Sequence, residues 1–484
     1  MPEANPVRPL IREIPFPENP FAAFRALAGH RQPFLLDSAL RDGRLGRWSF
    51  MGADPFAAVR TKGTTWALSG VAPDPRWHSP FGVVKDILAR YPMEREADDP
   101  PFLGGAVGYW GYELRHFVER LPCSVVDDAP VPDCCIGFYD AIIALDHQRG
   151  RAWAVAVPIM STEAALRRLD ELAAVATAKQ ADESAPAFAP GIAPAMACQP
   201  LLDAPGMWST FTREGYVEAV LRAKEYIAAG DTFQINLSHR LSAPVAAAPI
   251  ELYARLRAVN PAPFAAHLDF GDFAVLSASP ERFLQIRGGR VETRPIKGTR
   301  PRGMTLDEDQ RLAAELLASE KDRAENVMIV DLERNDLGRT CAYGSVRVTE
   351  LCALERYQTV FHLVSTVVGE LHEGYSSIDC LKACFPGGSI TGAPKVRSME
   401  IIDELEPTCR GVYTGAIGYH CFSGDMDTNI VIRTIVLQDG WAHFQVGGGI
   451  VADSDPAAEY EETMDKARAL IQAVAQPNGV PHSA

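Results

Sequence analysis

No segment of this 484-residue chain approaches the roughly 20 consecutive apolar residues that span a bilayer. The opening, Met1-Pro-Glu-Ala-Asn-Pro6, lacks the basic start and apolar run of a signal peptide. The ten cysteines include no CxxC pair, which speaks against a zinc ribbon or a disulfide framework and for reduced thiols in a cytoplasm. Positive charge is scarce too, with Lys+Arg 47 against Asp+Glu 62 and a net charge of −15. That balance argues against nucleic acid as a partner. An acidic protein that binds an anionic substrate must instead concentrate positive charge locally or borrow a metal ion. There is no regular βαβ beat and no repeat beyond the echo of Gly105-Ala-Val-Gly-Tyr109 in Gly415-Ala-Ile-Gly-Tyr419, too short to establish duplication. What remains is ordinary globular texture, 47% hydrophobic and 23% charged, with length for roughly two to three domains or one composite.

An Ala/Pro-rich stretch at 176–207 reads as a linker or surface excursion. It divides an N-terminal region, 1–175, from a mixed α and β region, 208–476, with a tail at 477–484. Before the stretch, 152–157 reads as a strand and 162–175 as a helix. After it, Thr212 caps a helix with the stripe Tyr216, Val220, Ala223 and Ile227, stopped by Gly230. A strand follows, with Phe233, Ile235 and Leu237 on one face and Gln234, Asn236 and Ser238 on the other. Segments 282–287 and 290–296 form a hairpin on Gly288-Gly289. Its register sets residue 281 opposite 296, so Glu281 and Lys297 come within about 5–8 Å. Strict alternation would put them on opposite faces, but Pro280 and Pro295 both disturb the register. Glu281 also reads as an exposed strand-end carboxylate.

Lys297 lies in Pro295-Ile-Lys-Gly-Thr299, at a strand end before a Gly-Thr turn. From Arg282 to Arg302 seven Lys/Arg face one acid, Glu292. Desolvation or crowding by cations lowers a lysine pKa and makes a nucleophile of it. The plainer reading is a solvated turn lysine.

Two pairs of acids stand three apart on helices: Asp322 with Glu325, after Ser319, and Glu459 with Glu462, after Asp455-Pro456. Residues at i and i+3 share a face, so each helix can aim two carboxylates at one point, and four such donors suit Mg²⁺. Ser319-Glu-Lys-Asp322 also reads as a capping box, and Glu462 with Lys466 as a surface ion pair. The loop Phe385-Pro-Gly-Gly-Ser-Ile-Thr-Gly-Ala-Pro-Lys395 leads into a helix ending near Glu406. It is only loosely a phosphate cradle, lacking the Gly-Lys-Ser/Thr ending. Gly447, Gly448 and Gly449, after a strand, read as amides offered to a carboxylate or as a tight turn.

Beyond Trp208 the chain resembles the chorismate-utilising enzymes. The matching text is Gly230-Asp-Thr-Phe-Gln-Ile-Asn-Leu-Ser238, Ser277-Ala-Ser-Pro-Glu-Arg-Phe283, Asp322-Arg-Ala-Glu-Asn-Val-Met-Ile-Val-Asp-Leu332, the 385–395 loop, and Glu459-Tyr-Glu-Glu-Thr-Met-Asp-Lys-Ala-Arg468. The N-terminal third fits through Leu35-Leu-Asp-Ser38, Gly46-Arg-Trp-Ser-Phe50 and Gly104-Gly-Ala-Val-Gly-Tyr109. The resemblance implies an α+β fold of two large antiparallel sheets packed as a sandwich and flanked by helices. Anthranilate synthases read Pro-Ile-Ala-Gly-Thr where this chain has lysine, and the lysine form is similar to the aminodeoxychorismate synthases. Water-using relatives carry a lysine at the position of Gln234, so the resemblance points to ammonia as nucleophile.

The same resemblance implies roles. Lys297 would attack C2 of chorismate as the C4 hydroxyl leaves, and ammonia would then add at C4. Glu281 matches the general acid/base, and His362 an active-site histidine of open role. Glu325 and Glu462 match Mg²⁺ ligands, with Asp322 and Glu459 acting through waters. Arg433, Tyr413, Lys466 and Gly447, Gly448 and Gly449 match a pocket for the enolpyruvyl carboxylate, and Gly298 and Thr299 further substrate contacts. Ser38, with Leu45, Gly46, Arg47 and Trp48, and Pro263, Phe264 and Ala265 match the segments where relatives hold tryptophan. No Gly-x-Cys-x-Gly glutaminase elbow is present, so a separate glutamine amidotransferase subunit or free ammonium is the expected ammonia source.

Overall fold

The computed structural model describes residues 6–41, 45–128, 131–177, 198–202, 204–357 and 360–475. Residues 178–197 and 203 of the Ala/Pro-rich stretch, and all of the 477–484 tail, lie outside the described residues. Two antiparallel sheets dominate, one of 13 strands and one of 11. Both draw strands from before and after that stretch. In the larger sheet Phe34–Asp37 pairs with Phe264–Asp269, and in the smaller one Gly105–Trp110 pairs with Ala416–Cys421. The last pairing sets the two similar pentapeptides side by side, with Gly108 opposite Gly418.

Alternation along the strands builds two hydrophobic layers. On Phe273–Ser279, Phe273 and Val275 turn into the interior between the sheets, while Ala274, Leu276 and Ala278 turn outward under helices. The interior is aromatic: Phe34 packs on Tyr139 with ring centroids 4.5 Å apart, and Phe102 on Tyr419 at 4.7 Å. Outside, Leu169 and Leu172 of Thr162–Thr177, Leu252 and Leu256 of Pro249–Val259, and Leu470 of Pro456–Ala475 cover the larger sheet. The result is a two-sheet sandwich flanked by helices, an α+β architecture.

Most local expectations hold. Thr212 accepts a hydrogen bond from the Gly215 amide at the start of Arg213–Ala228. The hairpin turns on Gly288-Gly289 with Ile286 opposite Val291. Three differ. The strand expected over 233–238 runs Gln234–Pro244 and is buried on both faces, because it lies inside the sheet, paired with Trp441–Ile450 and with Trp208–Ser209. Phe233 falls outside it and is 71% exposed. The second hairpin arm stops at Thr293, and a separate strand, Ile296–Pro301, begins after Pro295. Lys297-Gly298-Thr299 is therefore strand, not a strand end before a turn. Gly447, Gly448 and Gly449 lie inside Trp441–Ile450, neither after a strand nor in a tight turn. Their missing side chains allow close pairing: a Cβ on Gly447 would come 2.5 Å from the Leu237 carbonyl oxygen.

Candidate active site

A cavity of about 570 Å³ opens where the ends of the two sheets meet the helices Glu320–Gly338 and Pro456–Ala475. Lys297 projects into it from a bulge. Along Val360–Glu370, Ile296 pairs with Val364 but Thr299 with His362, so one extra residue is accommodated at 297–298. The bulge removes the alternation that would have turned Lys297 away from Glu281, and both residues line the cavity. Gly298 makes the bulge possible: its φ is +83°, and a Cβ there would come 3.0 Å from Asp322 Cβ.

The lysine ammonium has no hydrogen bond or ion pair to a described residue. Burial lowers its pKa, with Lys466 adding repulsion, against the pull of Glu325 and Glu281. The expected crowding of Lys297 by arginines does not occur: none of them is among the charges that shift its pKa, and four of the six are held by carboxylates. Arg282 binds Asp427, Arg294 binds Glu355, Arg300 binds Glu315 and Asp322, and Arg302 binds Asp309. Desolvation is the leading cause, and Lys466 is the cation that adds to it. Glu281 is buried, not the exposed strand-end carboxylate, and burial pushes its pKa up despite a hydrogen bond from Ser389 and the nearby Lys297. Ser389 Oγ donates to Glu281 Oε1 across 2.9 Å. A carboxyl whose pKa is raised beside a lysine whose pKa is lowered is a pair suited to exchange a proton with a bound substrate.

The four acids share this cavity with Lys297. Burial raises the pKa of Glu325 and of Glu459, and each also feels a neighbouring carboxylate: Glu459 acts on Glu325, and Glu462 on Glu459. For Glu462 the upward push of burial is outweighed by Lys466, whose Nζ lies 2.7 Å from Glu462 Oε1. The Ser319 cap is half a capping box: Ser319 Oγ accepts from the Asp322 amide, while the Asp322 carboxylate turns to Arg300 at 3.3 Å. Among the described residues no three His, Cys, Asp or Glu stand close enough together to hold a metal ion. The all-carboxylate donor set suits a hard cation in kind, and Lys321 supplies counter-charge to Glu325, Glu459 and Glu462.

Arg433 and Lys466 bring positive charge to the same cavity. The Arg433 guanidinium has no carboxylate partner among the described residues, and a weak contact to Asn260 Oδ1 at 3.4 Å is its one polar side-chain contact there. Burial lowers its pKa. Tyr413 and Lys466 flank it in the cavity, with Gly447 and Gly449 as floor, and Lys466 Nζ donates to the Gly447 carbonyl oxygen at 2.9 Å. Gly448 does not line the cavity, but a Cβ there would come 3.1 Å from Glu459 Oε2 and 3.9 Å from Glu462 Oε1. Thr299 Oγ1 pairs with His362 Nδ1 at 2.9 Å, and burial and Arg433 drop the His362 pKa to about 4, so the ring is neutral.

Ser389, Lys321 and Asn236 were not singled out in the sequence, yet all three reach the cavity. Ser389 was within reach, since it sits in the glycine-rich loop whose phosphate-like pattern drew notice for another reason. Gln234 is fully buried beneath Gly449 with neither amide atom hydrogen-bonded, and Asn236 Oδ1 is likewise unpartnered. The segments matched to tryptophan also converge. Ser38, Leu45, Gly46, Arg47 and Trp48 meet Pro263, Phe264 and Ala265 around a second cavity of about 340 Å³ between the sheets. The ten cysteines are unpaired, eight of them buried, and no helix among the described residues is long and apolar enough to cross a membrane.

Comparison with known proteins bears on this geometry. Residues 31–472 match the chorismate binding enzyme family. Aminodeoxychorismate synthase component 1 of Bacillus subtilis is 42% identical over 96% of this chain and 97% of its own length. Anthranilate synthase component 1 of Thermus thermophilus is 44% identical, covering 94% and 95%. Among solved structures, anthranilate synthase component I of Streptococcus pneumoniae superposes with a TM-score of 0.76 at 32% identity, covering 89% of this chain and 93% of that one. With the fold, the cavity and these similarities in agreement, this chain belongs to the chorismate binding enzyme family.

Proposed function

We propose that this chain is the chorismate-converting component of an aminodeoxychorismate synthase, forming 4-amino-4-deoxychorismate for the p-aminobenzoate branch of folate synthesis in the cytoplasm. The observation that carries the reading is the unpaired, desolvated Lys297 on its bulge beside buried Glu281. Neutral Lys297 attacks C2 of the ring as Glu281 gives its proton to the departing C4 hydroxyl. Ammonia then adds at C4 and the lysine leaves C2, which places the amine para to the ring carboxylate. With alanine at 297 the amine would arrive ortho instead. Gln234 offers no base to activate water, which favours ammonia as the nucleophile.

Arg433, with Tyr413 and Lys466, orients the enolpyruvyl carboxylate, where an unpaired guanidinium can form two parallel hydrogen bonds. His362 is a neutral partner for Thr299 and positions the strand that carries Lys297. Glu325 and Glu462, with Asp322 and Glu459 through waters, would hold Mg²⁺, which supplies charge neutralisation to a substrate carboxylate when bound. A glutamine amidotransferase subunit supplies ammonia. The second cavity takes a small amphiphilic ligand of tryptophan type, because apolar walls there meet charged groups of both signs.

One specific observation favours a second reading, anthranilate synthase component I: the Thermus protein of that name is 44% identical, as high as the 42% of the Bacillus aminodeoxychorismate synthase component. Incubating the protein with chorismate, Mg²⁺ and an ammonium salt, then separating the products by chromatography and mass, decides between them. 4-Amino-4-deoxychorismate supports the proposal, and anthranilate moves the chain to the second reading.

A further inference from the structure

Glu333, on Glu320–Gly338, is not among the residues that line the cavity. It is 7% exposed and has no basic partner of its own, since the nearby Lys395 ammonium is taken by Asp336 at 2.6 Å. Its Oε2 lies 2.5 Å from Thr293 Oγ1, and the same hydroxyl lies 2.8 Å from the Phe283 carbonyl oxygen. A hydroxyl has one proton and a carbonyl can only accept. If Thr293 donates to Phe283, the short contact to Glu333 needs a second proton, and the carboxyl must bring it. The surroundings agree. Thr293 faces Glu333 from the hairpin arm Arg290–Thr293, Asp336 from its own helix, Glu281 from the strand junction, and Lys395 from Lys395–Leu405. Two of those neighbours are acids, and burial pushes the Glu333 pKa up to about 8.

The location gives the proton a purpose. Thr293 ends the arm that leads through Pro295 to Lys297, and Phe283 stands two residues past Glu281. Glu333 sits on the helix that carries Asp322 and Glu325. We propose that Glu333 is a neutral carboxylic acid that donates its proton to Thr293 Oγ1 and so leaves the Thr293 hydroxyl proton for the Phe283 carbonyl, holding the strand pair that bears Glu281 and Lys297 in register with the helix that bears the paired acids. Glu333 is a positioning residue, since it touches no reacting atom. Its ionisation removes the bridging proton and sets a buried negative charge against Glu281 and Asp336, which loosens the clamp. The inference rests on the catalytic reading of Lys297 and Glu281.

The test is the pH profile of chorismate consumption, whichever product forms, by the full chain with Mg²⁺ and ammonium. One pH unit above its pKa about a tenth of the molecules keep the proton, so wild-type kcat should fall about tenfold by pH 9. Glu333→Gln keeps a donor and cannot ionise, so over that range its kcat should fall about tenfold less than that of the wild type, while Glu333→Ala should be weak at every pH. Parallel profiles for wild type and Glu333→Gln, or a wild-type profile flat to pH 9.5, overturn the proposal. Thermal melts without substrate form an independent arm. A carboxyl raised in the folded state adds stability that is lost as pH rises toward its folded pKa, so the wild-type Tm should drop between pH 5 and 8 relative to Glu333→Gln. Equal slopes overturn the clamp even if the chain turns over no chorismate, and unequal slopes without turnover fault the catalytic reading alone. Should Glu333→Gln not fold, Thr293→Val must lose activity where Thr293→Ser keeps it, and full activity in Thr293→Val overturns the clamp.

Discussion

Ser389 and Glu281 stand 2.9 Å apart, and the hydroxyl donates to the carboxylate. That bond favours the ionised acid, while burial favours the neutral one, and burial wins.

Removing the donor should therefore raise the Glu281 pKa further. In the proposed mechanism Glu281 must be protonated to release the C4 hydroxyl, so its ionisation would set an alkaline limb in kcat/KM. Ser389→Ala should move that limb upward. Glu281→Gln should lower turnover by about 10²–10⁴-fold at every pH. An unmoved limb in Ser389→Ala would show that another group sets it.

Lys297 titrates in the opposite sense. In the proposed mechanism its neutral form attacks, and burial lowers its pKa, so activity should rise through a limb below the ordinary lysine range. Chorismate with Mg²⁺ but no ammonia should leave an adduct on Lys297, seen by intact mass and peptide mapping. Lys297→Ala should lose the adduct and most para-amination, with some ortho product, and Lys297→Arg should do no better because guanidinium stays protonated. A wild-type rate in Lys297→Ala would rule out the covalent route.

Gly298→Ala forces a Cβ to 3.0 Å from Asp322 at a φ of +83°. The strain should cost about 1–3 kcal/mol, read as a lower midpoint in urea, and should also push Asp322 out of place. A neutral effect on both stability and turnover would mean that the bulge can shift freely.

Glu325→Gln and Glu462→Gln should each abolish Mg²⁺-dependent turnover with the far-UV spectrum unchanged. Normal rates at saturating Mg²⁺ in either variant would remove that residue from the ion's ligands.

The purified chain should turn over chorismate with ammonium at alkaline pH, where NH₃ is present, and should need an added glutaminase to use glutamine. Turnover from glutamine alone would contradict this.

Much of the site was legible because its parts are local. The i, i+3 spacing of Asp322 and Glu325 fixes a shared helix face, and the Gly288-Gly289 turn fixes which residues come near Lys297. What failed depended on distant partners. The arginines of 282–302 look like a positive field in the sequence, but for Arg282, Arg294, Arg300 and Arg302 acids arrive from residues 427, 355, 315 and 309. The bulge at 297–298 is likewise a property of the pairing with Val360–Glu370, which no window around Lys297 contains. Gly447 and its neighbours look like a turn until Gln234–Pro244 lies beside them and needs the room.

The shared sheets set terms for synthesis on the ribosome. When Phe34–Asp37 and Gly105–Trp110 emerge, the strands that flank them at 264–269 and 416–421 have not yet been made. The nascent N-terminal half must expose apolar strand edges for many seconds, at a translation rate of about 5–20 residues per second. Such edges invite chaperones in the cell and aggregation in their absence. Refolding from denaturant should accordingly be slow, since most of the interior depends on contacts between residues far apart in the chain.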